Sequence, residues 1–233
     1  MRLKLSLFFT IGALSFTNLL AQTSSSNDIV VTVEGLGADS VFLANYYGSR
    51  LYYSDTTVAD INGRFVFKGK PFEECGKYAV VLPGPVFFDM MLVSEPMEFR
   101  TTMKNPQGDM QIIQSEENKV FYDYLNFLNT KREQRTPHDS VLNDSMASPL
   151  NVEIARNAMT VMNSEVLEYQ DALIDDPRDY LFGKYLGMLR EPQIPNAPSN
   201  VEDVRFWNYM WYRDHYWDRV DFSDARLVRD GSF

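Results

Sequence analysis

The sequence predicts an α+β protein, in which an N-terminal antiparallel β-sandwich is followed by an all-α helical domain of about four helices. Three observations support this fold class. In residues 28–113, short runs of alternating apolar and polar residues are separated by Gly, Pro and Asn. From residue 115 onward, apolar residues recur at helical spacing instead. The apolar share of 45% is ample for packed cores, so most of the chain is expected to fold.

The clearest β signal lies in the first half of the predicted sandwich. Asn62-Gly63 is typical of a tight two-residue hairpin turn, in which both residues adopt left-handed backbone angles. Phe65 and Phe67 follow two residues apart, so their rings are predicted to lie on one face of the returning strand. Gly35-Leu36-Gly37 precedes a strand-like run rather than a helix, which indicates a turn and not a phosphate-binding loop.

The predicted helical domain covers residues 115–218. Its first helix is expected to start at Ser115, with two glutamates in the first turn, and to end near the basic cluster Lys131, Arg132 and Arg135. Residues 136–149 are polar and bounded by prolines, which predicts a loop.

A second helix is predicted over residues 151–173. Asp176-Pro177 predicts the start of a third, because Asp caps helices and Pro suits the first helical position. Residues 191–199 contain three prolines and predict an extended connector. The last helix then follows residues 200–203, which supply its cap.

This last helix, residues 206–218, contains all three tryptophans of the chain: Trp207, Trp211 and Trp217. Aromatic rings point in almost every direction around it. Such a helix needs neighbours on several sides, and the tryptophans are therefore a candidate docking surface as well as core. We expect part of this surface to be exposed, especially around Trp211 and Trp217.

Residues 1–21 have a short basic start, an apolar run and Ala21 at the end, which is typical of a secretory signal peptide cleaved after Ala21. An uncleaved anchor is the alternative, but the run is short and a polar leader, residues 22–27, follows it. Bacterial lipoproteins carry cysteine where this chain has Gln22. The expected location is the periplasm or cell envelope, without a lipid anchor or stable membrane insertion after cleavage.

The charge of the chain limits the classes of partner. Cleavage after residue 21 removes Arg2 and Lys4 and changes the formal charge from −10 to −12. Such a chain repels nucleic acids and anionic membrane surfaces, so no nucleic-acid partner is expected.

Cys75 is the only cysteine, so the chain has neither an internal disulfide nor a dithiol motif. The neighbouring Glu74 is expected to raise the pKa of its thiol, which argues against a reactive thiolate. A structural role for Cys75 is predicted.

No catalytic set and no cofactor motif is recognisable. The sequence lacks a Gly-x-Ser-x-Gly motif, and neither of its two histidines lies in a hydrolase context. His215, Asp218 and Asp221 are weak candidates for a metal site, since a His and an Asp three residues apart share a helix face. Interleaved arginines favour the alternative of a salt-bridged helix end.

Two short motifs resemble the acceptor motif of a bacterial periplasmic O-glycosylation system, in which Asp-Ser or Asp-Thr precedes a small or apolar residue. They place Ser140 and Ser145 in the predicted loop as candidate O-glycosylation sites. Two further matches fall at Ser40 and Thr56 in the predicted sandwich.

Longer motifs carry a family resemblance. The segments DINGRFVFKG (residues 60–69), GKY (76–78) and SEENKVFYDYL (115–125) resemble the domain of unknown function that precedes the thioredoxin-fold domain of exported bacterial thiol-disulfide oxidoreductases. YRDHYWDRVDFSD (212–224) resembles the helical domain that links that module to the thioredoxin fold. Neither domain has assigned catalytic residues.

The resemblance implies an accessory role. The relatives carry Cys-x-x-Cys in a C-terminal thioredoxin fold, and here residues 219–233 are interpreted as a tail leading to a missing domain. A non-catalytic envelope scaffold is therefore expected, with a thioredoxin-fold domain or another envelope protein as partner. The alternative hypothesis is a stand-alone periplasmic module that binds a glycan or a peptide.

Overall fold

The computed structural model describes residues 27–48, 50–84 and 86–230. Within them the chain forms two four-stranded sheets and four α-helices, so the protein is α+β. The predicted signal peptide, residues 1–21, and most of the predicted leader lie outside the described residues. Among the helices that are described, none combines the length and apolar composition needed to cross a bilayer.

The strands divide between the sheets in an interleaved order. They are β1 (Ile29–Glu34), β2 (Ser40–Tyr47), β3 (Arg50–Val58), β4 (Arg64–Phe67), β5 (Gly76–Leu82), β6 (Val86–Leu92), β7 (Met97–Thr102) and β8 (Gln111–Gln114). The first sheet has the order β4-β1-β7-β8, and the second has the order β3-β2-β5-β6. Buried side chains from both sheets form one hydrophobic cluster that includes Ile29, Leu43, Phe67, Phe88 and Phe99.

The prediction of a wholly antiparallel arrangement is wrong for one pair of strands. Strand β1 pairs with β7 in parallel, from Ile29 opposite Met97 to Glu34 opposite Thr102. Between these two strands the chain builds the whole of the second sheet, so β7 re-enters the first sheet in the same direction as β1. The long crossover satisfies the requirement of a parallel pair for a distant connection.

The turn at Asn62-Gly63 differs from the predicted hairpin. Only Gly63 has a left-handed backbone, with φ of 75°, and the Asp60 carboxylate accepts the N–H groups of Asn62 and Arg64. The turn connects two sheets, because β3 pairs with β2 whereas β4 pairs with β1. Phe65 and Phe67 are both buried, which confirms that they share the inward face of β4.

The four helices are α1 (Glu116–Asn143), α2 (Pro149–Ile174), α3 (Leu181–Leu189) and α4 (Val204–His215). Ser115 caps α1 as predicted, since its side chain accepts the N–H of Asn118 at 3.0 Å. The predicted loop of residues 136–149 is wrong over its first part, because α1 continues through Pro137 to Asn143, and only residues 144–148 form the connection to α2. Hydrogen bonds from the Thr136 and Ser140 hydroxyls to carbonyls one turn earlier bridge this part of the helix.

The predicted start of the third helix at Asp176-Pro177 is also wrong. Asp176 instead accepts the N–H of Arg178 in a local turn, and Asp179 has a left-handed φ of 55° that interrupts the helical path. Helix α3 begins at Leu181, where the buried Glu117 carboxylate of α1 accepts the N–H groups of Leu181 and Phe182. A distant side chain thus supplies the cap.

The helices contact the second sheet through its edge strand β6. The buried Asn118 side chain bonds both to the N–H and to the C=O of Met91, and the Tyr122 hydroxyl donates to Asp89 O at 2.8 Å. Met91 joins a second hydrophobic cluster with residues of α1 and α3 and with Leu227.

Part of the predicted tail also packs against the rest of the chain. Its short 3₁₀ helix, Ala225–Val228, lies against a second one, Phe72–Glu74, where the Arg226 guanidinium stacks on the Phe72 ring. The N–H of Lys77 donates to Arg229 O at 3.1 Å, which attaches this segment to the start of β5. Residues 225–230 therefore belong to the folded body.

Candidate functional site

Helix α4 and the connector before it form the candidate site. Asp203 caps the helix as predicted, because its carboxylate accepts the N–H of Phe206 at 3.0 Å. The connector has no helix or strand over residues 191–198, and its prolines at 192, 195 and 198 recur with the three-residue period of a polyproline II helix. The Trp211 indole N–H donates to Gln193 O at 3.2 Å and ties this connector to α4.

Three rings stack along one side of α4. The ring centroids of Trp207 and Trp211 are 5.5 Å apart, and those of Trp211 and His215 are 3.8 Å apart with nearly parallel planes. His215 Nδ1 lies 2.8 Å from Trp211 O, a geometry that fixes the ring over the indole. The helical spacing of four residues produces this stack. All three side chains are partly buried.

The opposite side of α4 and the turn that follows it present large rings to solvent. Phe206 and Tyr209 are each 60% exposed, Tyr216 is 41% exposed and Trp217 is 51% exposed. We refer to these four residues as the outer aromatic face. Phe222 extends it, since its ring centroid lies 5.8 Å from that of Trp217 and the side chain is 73% exposed. No residue of α4 is buried. The predicted helix of residues 206–218 is too long, because α4 ends at His215 and residues 216–218 form the turn that follows it.

The structure divides the three tryptophans predicted as a docking surface. Trp207 and Trp211 belong to the inner stack, and only Trp217 belongs to the outer aromatic face. Phe206 and Tyr209 were not singled out from the sequence as docking residues. Their spacing of three residues placed them near one side of the helix, but which side faces the connector depends on tertiary structure.

The weak metal candidates do not form a ligand set. His215 is held by the Trp211 carbonyl, and Asp221 accepts the hydroxyl and N–H of Ser223, which lower the pKa of its carboxyl group. Asp218 shares a cavity of about 180 Å³ with His215, between the connector and α4. Across the described ranges, no group of three or more His, Cys, Asp or Glu side chains is arranged to hold a metal ion.

Cys75 is buried beneath the segment that follows α4. Burial raises the pKa of its thiol, with a smaller contribution from Glu73. The direction of the shift agrees with the sequence-based expectation, but its main cause is desolvation rather than an acidic neighbour. The neutral thiol that results is a poor nucleophile.

Asp224 forms two ion pairs near the end of the chain. Its carboxylate pairs with Arg226 and with Lys184 of α3, and the Arg226 guanidinium is the main cause that lowers the pKa of Asp224 to about 2. The Tyr185 hydroxyl donates to Arg226 O at 2.8 Å, so this ion-pair cluster is joined to the core of α3.

The two serines predicted as O-glycosylation sites lie at the far end of the α1–α2 pair. Ser140 is exposed on helix α1 rather than in a loop, and its hydroxyl donates to Thr136 O at 3.0 Å. Ser145 is exposed in the turn between the two helices.

Comparisons with known proteins give no assignment for this site. No protein-family model matches the sequence. A search of curated proteins finds no significant match.

Proposed function

We propose that this chain is a non-catalytic module of the cell envelope that docks a separate protein domain through helix α4. The observation that carries the proposal is the outer aromatic face, which exposes four large rings on α4 and on the turn directly after it. Contiguous exposed apolar patches mark interaction sites, and Trp, Tyr and Phe are enriched at the centre of protein interfaces.

The proposed partner is a thioredoxin-fold domain, and the chain would serve as accessory or substrate-docking part of a thiol-disulfide oxidoreductase system. The resemblance of residues 60–69, 76–78, 115–125 and 212–224 to modules of such enzymes supports this choice. Dithiol exchange requires two cysteines, and this sequence contains only the buried Cys75. The redox chemistry would therefore belong to the partner.

The same proposal includes the domain organisation and the location. We infer that the two sheets form a β-sandwich domain and that the helices form a second domain docked on β6, an arrangement supported by the two separate hydrophobic clusters. Export through cleavage after Ala21 is supported by the pattern of residues 1–21. Mass spectrometry of protein from the native envelope should show Gln22 as the first residue.

A binding measurement tests the proposal. The probe is the purified thioredoxin-fold domain of an exported oxidoreductase from the organism that encodes this chain, immobilised for interferometry. We expect saturable binding of the chain in the micromolar range, which is typical of transient partners. In an insulin-reduction assay the chain alone should show no turnover above buffer. Absence of saturable binding, or insulin reduction by the chain alone, would contradict the proposal.

A second candidate function is peptide binding, which the connector favours. Its proline-rich segment accepts the Trp211 indole N–H at Gln193 O, and aromatic grooves recognise polyproline II ligands through similar contacts. The test is a fluorescence titration with a peptide of residues 191–199, compared with a scrambled peptide. Saturable binding of the native order alone would support this function, and equal responses to both peptides would argue against it.

A further inference from the structure

A groove between α1 and α2 lies away from the outer aromatic face. It has a volume of about 790 Å³, within the range of small-molecule sites. Its length along α1, from Leu128 to Asp139, corresponds to roughly 16 Å at the helical rise. The groove is thus long enough for an extended aliphatic chain.

The two walls of the groove differ in chemistry. Helix α2 contributes mainly apolar side chains, namely Met159, Met162, Val166 and Leu167, with Asn163 and Gln170 as its polar members. Helix α1 contributes Leu128 and then three cations, Lys131, Arg132 and Arg135. Methionines adapt to ligands of irregular shape because their side chains are flexible and polarizable. An apolar wall that faces a cationic wall is suited to an amphiphile.

The charges of the groove leave one cation available. Lys131 pairs with Glu165, and Arg135 pairs with Asp139 at 3.0 Å. Arg132 lines the same groove and forms no ion pair with any acidic side chain that the structure describes. One unpaired guanidinium matches one anionic headgroup, and its planar fork binds carboxylate or phosphate through two hydrogen bonds.

We propose that the α1–α2 groove binds a single-chain amphiphile with one anionic headgroup. The headgroup is held by Arg132, and the aliphatic chain lies along Met159, Met162 and Val166. A ligand with several acidic groups would have to displace Glu165 or Asp139 from its cation, so the charge balance favours a single anion. Carboxylate and phosphate headgroups share the chemistry that Arg132 recognises.

Calorimetric titration of the purified chain with dodecanoate and with dodecyl phosphate, both below their micelle concentrations, tests this site. At least one of them should bind. Preference for dodecanoate identifies a free fatty acid as the source of the ligand, and preference for dodecyl phosphate identifies a lipid headgroup. Butanoate keeps the anionic headgroup but has a short chain, so it tests the apolar wall. Dodecyltrimethylammonium keeps the long chain but has a cationic headgroup, so it tests the role of charge. Both should bind more weakly than the preferred anion.

The variant Arg132→Gln should weaken binding of the preferred anion by about tenfold, because a charge-assisted contact is lost. The matched control is Arg156→Gln, an exposed arginine of α2 that does not line the groove; it should bind like the unmodified chain. Equal binding by Arg132→Gln and Arg156→Gln would overturn the proposal. Binding of butanoate or dodecyltrimethylammonium as tight as that of the anionic probes, or no binding of either anion, would also overturn it.

Discussion

The side-chain amide of Asn118 pairs with the backbone of Met91 as a neighbouring strand would. Asn118 Oδ1 accepts the Met91 N–H at 2.8 Å, and Asn118 Nδ2 donates to Met91 O at 2.7 Å. Because β6 is an edge strand, these backbone groups have no strand partner on that side. One side chain of α1 thus covers the sheet edge at Met91 and attaches the helix there.

The variant Asn118→Ala should lower the free energy of unfolding by about 2–4 kcal/mol, since a buried N–H and a buried C=O lose their partners. Urea denaturation measures this loss. The matched control is Asn126→Ala, an exposed asparagine of the same helix, whose effect should stay within about 0.5 kcal/mol. Equal losses in both variants would show that the contact with Met91 is not the cause.

The Glu117 carboxylate predicts a pH dependence of stability. Burial raises the pKa of this carboxyl group in the folded protein above its ordinary value, although the N–H groups of Phe182 and Leu181 oppose the shift. Its contribution to stability is therefore fully present below the unfolded pKa and is lost as pH rises through the folded pKa.

The stability difference between the native chain and Glu117→Gln reports this effect. Across the acidic range, the native chain should lose stability relative to the glutamine variant as pH increases, in urea denaturation at matched ionic strength. The variant Glu153→Gln, at an exposed position of α2, serves as control and should show no such trend. A native chain that gains stability relative to Glu117→Gln as pH rises would contradict the account.

The segment after α4 is predicted to contribute to the stability of the whole fold. Leu227 is 3% exposed and packs in the cluster formed by α1 and α3, so Leu227→Ala should cost about 2–4 kcal/mol through the cavity it leaves. Thermal and urea unfolding measure this cost. Phe222→Ala, only five residues earlier but 73% exposed, should cost less than about 0.5 kcal/mol. A Leu227→Ala variant as stable as the native chain would show that the segment is not docked.

Tryptophan fluorescence distinguishes the two sides of α4. Iodide should quench part of the emission, and Trp217→Phe should remove the larger part of the quenchable fraction because Trp217 is the half-exposed indole. The variant Trp211→Phe should leave most of that fraction, since its ring is stacked between Trp207 and His215. Loss of the quenchable emission in Trp211→Phe alone would contradict the assignment.

Local signals predicted several elements correctly. Ser115 and Asp203 cap their helices because each precedes a helical run and has a short acceptor side chain. Phe65 and Phe67 are buried together because alternate residues of a strand share a face. These features depend only on residues close in sequence.

Features that depend on distant residues escaped prediction. The cap of α3 comes from Glu117, 64 residues before Leu181, and no pattern around Asp176 reveals it. Helix α1 continues past Pro137, where propensity favours a break. The parallel pairing of β1 with β7 depends on how the chain returns from the second sheet. Likewise, which side of α4 is exposed depends on where the connector packs against the helix, and the sequence of α4 alone does not reveal it.

The affinity of the thioredoxin-fold domain for variants of the outer aromatic face tests the central claim most directly. The double variant Phe206→Ser with Trp217→Ser removes two exposed rings of this face, and Ile61→Ser removes a 79% exposed apolar side chain from the inter-sheet turn. The account predicts at least a roughly tenfold rise in Kd for the double variant, as for loss of interface hot spots, and an unchanged Kd for Ile61→Ser. An unchanged Kd for the double variant would contradict it.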